Sequence, residues 1–249
     1  TASQLTATGS NLKWYTQATG GTGVSTAPTP ATTATGTSNY YVSQTTTGCE
    51  SARAMIAVTI NALPTATITV SGSTSFCAGG SVTLSSTGGT GYVWKNGGST
   101  VGSSATYLAE AAGSYTVEVT NATNCKATST ATVVTINAAP SAPVVTATAS
   151  YCQNATATQL TATGSNLKWY AQATGGTGVS TAPTPATTAT GTSNYYVSQT
   201  NGCESARAMI AVTINASPTA TITTSGSTSF CTGGSVTLSS TGGTGYVWK

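Results

Sequence analysis

The sequence predicts an all-β protein made of several small sandwiches in tandem, each stapled by a disulfide. Short runs of Val, Ile, Thr and Tyr separated by Gly-rich turns favour strands, because branched and flat side chains pack well on a pleated surface. A long internal repeat divides the chain into several units. Six cysteines recur at regular positions, as expected of small domains held together by sulfur bridges.

The strand prediction follows from alternation along the chain. Val82 and Leu84 share one face of a strand, as do Tyr115, Val117 and Val119, while Thr and Ser fill the positions between them. A period of two with one apolar face is typical of half-buried strands in an antiparallel sheet. Roughly seven short strands in about 75 residues suits a small sandwich.

The repeat defines the expected modules. Residues 1–95 recur at 156–249 with near identity, and each copy holds two modules separated by the phrase Ile-Asn-Ala-X-Pro. Proline cannot donate to a ladder, so each phrase indicates the end of a module. We expect a type A module at 1–63 that lacks its first strand, a type B module at 64–139, a complete type A module at 140–217, and the opening of another type B module at 218–249.

The cysteines predict two bridges inside the complete modules. In each module one cysteine precedes the second strand and the other lies in the turn before the last strand. This pattern predicts Cys77–Cys125 and Cys152–Cys203, with the partners of Cys49 and Cys231 outside the chain. A closed loop of this size removes about 4 kcal/mol of unfolded-state entropy. Disulfides of this kind indicate an oxidising, extracellular location.

The four tryptophans, Trp14, Trp94, Trp169 and Trp248, each lie in the middle of a predicted strand. We expect them to form the module cores, because modules with so few large residues need them inside. A platform for stacking sugars is the alternative. The loop 175–190 contains Gly175-Gly176-Thr177-Gly178, which indicates a turn rather than a phosphate cradle, because no Lys-Ser/Thr follows it.

Composition argues against catalysis, metal binding and nucleic-acid binding. The chain has 7 basic and 4 acidic residues and no His. Acid–base catalysis needs positioned titratable groups, and zinc needs closely spaced Cys or His. No basic cluster is available for phosphates, and no apolar run is long enough to span a membrane. We therefore expect no enzyme activity, no cofactor, no metal, no nucleic-acid partner and no membrane span, and we expect Glu50–Arg53 and Glu204–Arg207 to be surface ion pairs.

Several phrases resemble immunoglobulin-like domains of secreted surface proteins from Bacteroidota. Type A carries Leu-Lys-Trp-Tyr at 12–15 and 167–170, Tyr-Tyr-Val-Ser-Gln at 40–44 and 195–199, and Gly-Cys-Glu-Ser-Ala-Arg at 48–53 and 202–207. Type B is similar to the PKD-like or Ig-like repeats that accompany such domains. The resemblance implies long extracellular arrays, including adhesins, filament-forming proteins and gliding-associated proteins exported by the type IX system.

These expectations lead to two hypotheses about function. In the first, the chain is the structural repeat region of an extracellular bacterial surface protein and forms a stalk or filament, with other copies of the chain or neighbouring modules as partners. In the second, it is an adhesin whose modules bind carbohydrate or another cell surface. The adhesin hypothesis predicts an exposed aromatic pair or a polar cleft at loop 175–190, repeated in each type A module.

Overall fold

The computed structural model describes residues 2–249, and in this part of the chain every regular element is a strand. The strands fall into two compact units, one ending at Ile136 and the other beginning at Asn137. The all-β prediction is confirmed, as is the division into small sheets. The domain boundaries at 63/64, 139/140 and 217/218 stay predictions.

The first unit begins with a small antiparallel sheet in the order β1-β2-β5. Its strand β2 pairs with β5 over seven residues, from Gly36 opposite Ile60 to Val42 opposite Ala54. A short hairpin of β3 and β4 carries Cys49. The five strands are β1 Lys13–Tyr15, β2 Gly36–Ser43, β3 Thr45–Thr46, β4 Cys49–Glu50 and β5 Ala54–Ile60.

The rest of the first unit is a two-sheet sandwich. One sheet has the order β10-β9-β12-β14-β7 with β13 also paired to β12, and the other has the order β11-β8-β6. The bounds are β6 Thr69–Ser71, β7 Ser75–Cys77, β8 Val82–Ser85, β9 Gly91–Asn96, β10 Ser99–Gly102, β11 Thr106–Ala109, β12 Gly113–Thr120, β13 Lys126–Thr128 and β14 Thr132–Asn137.

The core of this sandwich contains the apolar residues that alternate along the predicted strands. Its buried members are Val82, Leu84, Trp94, Ala109, Tyr115, Val117, Val119 and Val134. The Trp94 indole N–H donates to the Ser104 carbonyl at 2.8 Å, and the Tyr115 hydroxyl donates to the Ala111 carbonyl at 2.9 Å. Both large rings therefore fill the core without leaving a polar atom unpaired. Burial also raises the pKa of the Tyr115 hydroxyl.

The second unit contains a four-stranded sheet in the order β16-β22-β19-β18 and a covering pair, β15 and β17. Strands β16 and β22 run parallel, from Thr148 opposite Ala211 to Cys152 opposite Asn215. Two further hairpins, β20–β21 and β23–β24, follow in this unit. The bounds are β15 Val144–Val145, β16 Thr148–Cys152, β17 Ala162–Thr163, β18 Lys168–Tyr170, β19 Gly191–Ser198, β20 Thr200–Asn201, β21 Cys203–Glu204, β22 Ala208–Asn215, β23 Thr223–Thr224 and β24 Leu238–Ser239.

The core of the second unit is built on β18, β19 and β22. Its buried members are Leu160, Trp169, Val197, Ile210, Val212 and Ile214. Trp14 is buried in the first sheet as Trp169 is here, but Trp248 is 51% exposed, so its prediction as a core residue is wrong. Its counterpart Trp94 is buried because residues of β12 and β14 pack with it in the same core cluster.

The two predicted bridges are also wrong. Cys125 and Cys152 have free thiols, so neither predicted pair is bonded. The parallel register explains the error in the type A module. It places Cys152 opposite Asn215, at the end of β22, whereas Cys203 lies in the hairpin that precedes Ala208, at its beginning. An eight-residue strand spans about 23 Å, far beyond the Cα separation of 4.4–6.8 Å typical of a disulfide.

The same reason applies to the type B module. Cys125 closes the turn that follows Thr120, the last residue of β12, and its backbone N–H donates to the Asn121 side chain at 2.9 Å. Cys77 ends β7, which lies on the far side of β14 from β12 in the strand order. Two strand spacings, about 10 Å, therefore separate β7 from β12 before any offset along the strands is counted.

Candidate binding groove of the type A modules

An aromatic groove lies beside the loop for which the sequence predicted a cleft. In the second unit it has a volume of about 270 Å³. The same groove recurs in the first sheet, with a volume of about 120 Å³ and equivalent residues at every lining position. The two sets are Trp169, Tyr170, Ala171, Thr177, Val179, Pro183 and Tyr195, and Trp14, Tyr15, Thr16, Thr22, Val24, Pro28 and Tyr40.

Backbone hydrogen bonds fix the wall of the groove. The Trp169 N–H donates to the Val179 carbonyl at 2.8 Å, and the Val179 N–H donates to the Trp169 carbonyl at 3.0 Å. The loop reaches this position through Gly175 and Gly176, whose φ angles of 66° and 70° suit glycine. A Cβ at Gly178 would lie 2.5 Å from Cζ of Tyr170. A glycine at this position therefore lets the loop lie directly on the Tyr170 ring.

A polar cluster holds the Tyr170 side of the groove in place. The Tyr170 hydroxyl donates to Oε1 of Glu204 at 2.5 Å, and the Ser198 hydroxyl donates to the same oxygen at 2.7 Å. The Arg207 guanidinium lies 3.3 Å from the centroid of the Tyr170 ring and donates to the Gln172 carbonyl at 2.6 Å. Arg207 therefore binds the ring face and a backbone carbonyl.

The expected ion pairs Glu50–Arg53 and Glu204–Arg207 are not among the ion pairs of residues 2–249. Among residues 2–249 the ion pairs are Lys95–Glu118 and Lys126–Glu118, and each Arg stacks on a Tyr instead of pairing with the Glu three residues before it. Hydrogen bonds, first from Tyr170 and then from Ser198, lower the pKa of the Glu204 carboxyl. The Tyr15 and Ser43 hydroxyls lower the pKa of Glu50 in the same way. The sequence Glu-Ser-Ala-Arg suggested that its Glu and Arg pair with each other, but in the structure each of them binds a Tyr instead.

The aromatic surface of the groove is only partly available to a ligand. Trp169 is buried and Tyr170 is nearly so, whereas Tyr195 is half-buried and Val179 is exposed. An apolar ligand face can therefore contact Tyr195, Val179 and Pro183, but it cannot lie flat on the indole. The sugar-platform alternative for Trp169 is thus less suitable than a contact through Tyr195.

Metal binding and membrane spanning can also be assessed over the described residues. Within residues 2–249 no three Cys, Asp or Glu side chains come together where they could hold a metal ion. Over the same residues no helix has the length and hydropathy needed to cross a membrane.

The sandwich architecture and the repeated type A geometry agree with a match to a known family. The family described as "Ig-like domain CHU_C associated" matches residues 1–62 and 140–216, more than half of the chain. The chain belongs to this immunoglobulin-like family. The matched segments are those that contain the aromatic groove and the Tyr–Glu–Arg cluster.

The solved structures to which the chain is similar include modules from viral and bacterial proteins. The three N-terminal domains of the highly immunogenic outer capsid protein of bacteriophage RB49 are 19% identical, with 66% of this chain and 61% of that chain covered and a TM-score of 0.32. The fibronectin(III)-like modules of Clostridium thermocellum CbhA are 15% identical, with 57% and 89% covered and a TM-score of 0.30.

A third similar structure is SGBP-B of the Bacteroides ovatus mixed-linkage glucan utilization locus, in complex with a mixed-linkage heptasaccharide. It is 14% identical, with 84% of this chain and 61% of that chain covered and a TM-score of 0.20. The chain thus spans about three fifths of the capsid and glucan-locus structures. Among curated proteins none matches the chain.

Proposed function

We propose that this chain is a structural repeat region of an extracellular bacterial surface protein, where it serves as a stalk or filament and catalyses no reaction. The observation that carries this proposal is the position of the chain ends in the complete type A module. Cys203 Sγ lies 3.6 Å from the carbonyl of Asn137, where the chain arrives, while Asn215, where it leaves, is at the far end of β22. A module that receives and releases its chain at opposite ends suits tandem extension.

The type B module has the same arrangement. The Asn121 side chain donates to the carbonyl of Ala62 at 2.9 Å, which places the incoming chain at the end of β12. The outgoing strand β14 pairs with the beginning of β12, with Val134 opposite Gly113, and continues away from Thr120 to Asn137. Incoming and outgoing chain are therefore at opposite ends here too.

The parallel pairing of β16 with β22 suits a load-bearing role. A pull applied through the two chain ends of the module loads these strands along their length, so their hydrogen bonds share the force. The flanking bonds at both ends are Ala211 N–H to the Ala147 carbonyl at 2.8 Å and Gln153 N–H to the Asn215 carbonyl at 2.8 Å. Separating the strands requires all of these bonds to break together.

The test is single-molecule pulling of the chain in reducing buffer, between its two ends. We expect the module at 140–217 to unfold at a higher force than residues 2–62, where β5 has no parallel partner and serves as the internal control. Ala149→Pro, which places a residue without a backbone donor in the middle of β16, should lower the higher force towards that of the control. A chain that extends without any such force difference would contradict the stalk role.

The second candidate function is adhesion through the aromatic groove, which is favoured because seven equivalent positions line it in both type A modules and only Thr16 and Ala171 differ in residue type. Its ligand would be a carbohydrate that presents an apolar ring face to Tyr195 or Tyr40. A glycan array probed with the chain tests this function, and Tyr40→Ala with Tyr195→Ala should abolish any binding found. Tyr41→Ala with Tyr196→Ala is the matched control, because neither residue lines the groove. Binding that survives the first double substitution would exclude the groove.

A further inference from the structure

The basic residues of the chain are confined to its strands or to positions directly beside them. Four lie inside paired strands, and these are Lys13 in β1, Lys95 in β9, Lys126 in β13 and Lys168 in β18. Arg53 directly precedes β5, and Arg207 directly precedes β22. The seventh, Lys249, is the last residue of the sequence. Every Lys or Arg that is followed by another residue is therefore in a strand or next to one.

The long loops contain no basic residue. Residues 16–35 connect β1 to β2, residues 171–190 connect β18 to β19, and both loops consist of Thr, Ser, Gly, Ala, Pro, Gln and Val, most of them exposed. Lys and Arg are also missing from the segments that follow the last strand of each expected module, which are 61–68, 138–143 and 216–222. Exposed segments of small and polar residues are the preferred sites of proteolytic nicking, so a Lys or Arg there would be open to cleavage.

Strand pairing holds the peptide bonds that follow the lysines. Lys168 lies opposite Ser198, and the next residue, Trp169, is buried in the core. Lys95 lies between two neighbouring strands, opposite Thr100 on β10 and Thr116 on β12. A protease must take up several residues around the bond that it cuts. A bond inside a paired strand is therefore reached only when the strand leaves its sheet.

The arginines lie outside the strands, but their side chains are held by other contacts. The Arg207 guanidinium lies 3.3 Å from the centroid of the Tyr170 ring and donates to the Gln172 carbonyl at 2.6 Å. The residue after Arg207, Ala208, already pairs with Val197. The first type A module repeats these contacts around Arg53. A protease specific for basic residues binds the cationic group in an acidic pocket, so the arginine must first leave the Tyr ring.

We propose that the folded chain resists proteases that cut after Lys or Arg, and that the resistance comes from where its basic residues lie. The enzymes concerned are extracellular proteases whose specificity pocket carries an acidic residue. One cut in an exposed loop or between modules would separate the two ends of a stalk. The biological meaning of the resistance rests on the proposed stalk role outside the cell, but the resistance itself is measured without any load on the chain.

Two substitutions in the second unit add the same residue at a loop position and at a strand position. Thr174→Lys lies in the exposed loop 171–190, and Asn194→Lys lies at an exposed position of β19, opposite Ala211. The 249-residue chain and both variants are incubated with trypsin in native buffer, and mass spectrometry identifies the fragments over time. Thr174→Lys should be cut after residue 174 at least about 100-fold faster than after Lys168 of the same chain, because a loop needs only local opening. Asn194→Lys should be as resistant as the unchanged chain.

Three outcomes would overturn the proposal. The first is cleavage of the unchanged chain after Lys168 or Arg207 as fast as at the added loop site. The second is rapid cleavage of Asn194→Lys, because a strand would then give no protection. The third is an uncut Thr174→Lys, because the protection would then come from closed loops and not from the placement of basic residues.

A second pair of variants tests the shielding of Arg207. Tyr170→Phe keeps the ring face and should leave Arg207 uncut, whereas Tyr170→Leu removes the ring and should make the bond after Arg207 the first to be cut in the second unit. Equal resistance of both variants would overturn the role of the Tyr ring. If Tyr170→Leu is cut after Lys168 and Arg207 together, its module has unfolded, and the loop and strand variants decide instead. A resistant chain without the expected difference in unfolding force would contradict the stalk role alone, and a rapidly cut chain with that difference would contradict the resistance alone.

Discussion

The two type A modules have nearly the same sequence, but equivalent side chains on their last strands are buried to different extents. Ile210 on β22 is 2% exposed, whereas its counterpart Ile56 on β5 is 45% exposed. Cys203 is buried and Cys49 is exposed. The difference arises because β22 is flanked by β16, and β15 pairs with β17 over the core, while β5 ends its sheet with no strand beyond it. The comparison shows that the sequence of a strand does not decide whether its apolar face is buried.

A large effect is expected from giving the first type A sheet equivalents of β15 and β16. Residues 140–155 placed before Thr1 would provide β15 and β16 for the first type A module, because Thr1 is equivalent to Thr156. Because Ile56 and Val58 are already partly buried, completing their burial should stabilise by about 1.5–3 kcal/mol, so amide exchange in β5 should slow by about 10- to 100-fold. Hydrogen-exchange mass spectrometry measures this change, with β22 of the same chain as the control. Unchanged exchange in β5 would mean that neighbouring strands are not the cause of the difference.

Shortening the same isoleucine in both modules should have unequal consequences. Ile210→Ala leaves a cavity in the core and should cost about 2–5 kcal/mol in the free energy of unfolding of its module. Ile56→Ala should cost less than about 1 kcal/mol, because nearly half of this side chain is already in water. Urea unfolding followed by hydrogen exchange in β22 and β5 separates the two effects. Equal losses would show that β5 is covered in solution.

The Tyr–Glu contact should contribute less and should be similar in both modules, because its geometry is the same. Tyr170→Phe removes the hydroxyl that donates to Glu204 and should cost about 1 kcal/mol, or roughly 4–8 °C in the Tm of the module. Differential scanning calorimetry measures the shift. Tyr151→Phe, which removes a hydroxyl bonded to the exposed Thr158, is the control and should change the Tm less.

The smallest expected effect is a pH dependence from the same cluster. The folded pKa of Glu204 is lowered, so its contribution to stability is present above the ordinary pKa of a Glu carboxyl, about 4.3, and is lost as the pH falls through the folded value. The Tm of the module should therefore fall in acid below about pH 4.3. Glu204→Gln should reduce this fall, while Glu110→Gln, an exposed change in the other unit, should not. An unaltered acid response in Glu204→Gln would exclude this carboxylate as its source.

At the aromatic groove, some features could be predicted from the sequence and others could not. The Gly-rich loop was predicted only as a turn, and the adhesin hypothesis predicted a polar cleft near 175–190, whereas the groove found there is lined mainly by aromatic and apolar residues. The sequence did not indicate that Arg207 would lie on the Tyr170 ring rather than pair with Glu204. Residues three apart in sequence suggested the pair, but Tyr170 comes from a strand more than thirty residues away, and only the sheet brings it near.

The all-β class, the alternation of apolar and polar faces and the immunoglobulin-like family could be predicted from the residues alone, because these depend on local residue type and on the repeat. The free thiols of Cys125 and Cys152, the exposure of Ile56 and Trp248, and the partners of the arginines became known only from the fold. These features depend on strand direction and on neighbours distant in sequence. Because β16 runs parallel to β22, Cys152 and Cys203 lie at opposite ends of one strand, and no spacing between cysteines along the chain reveals that direction.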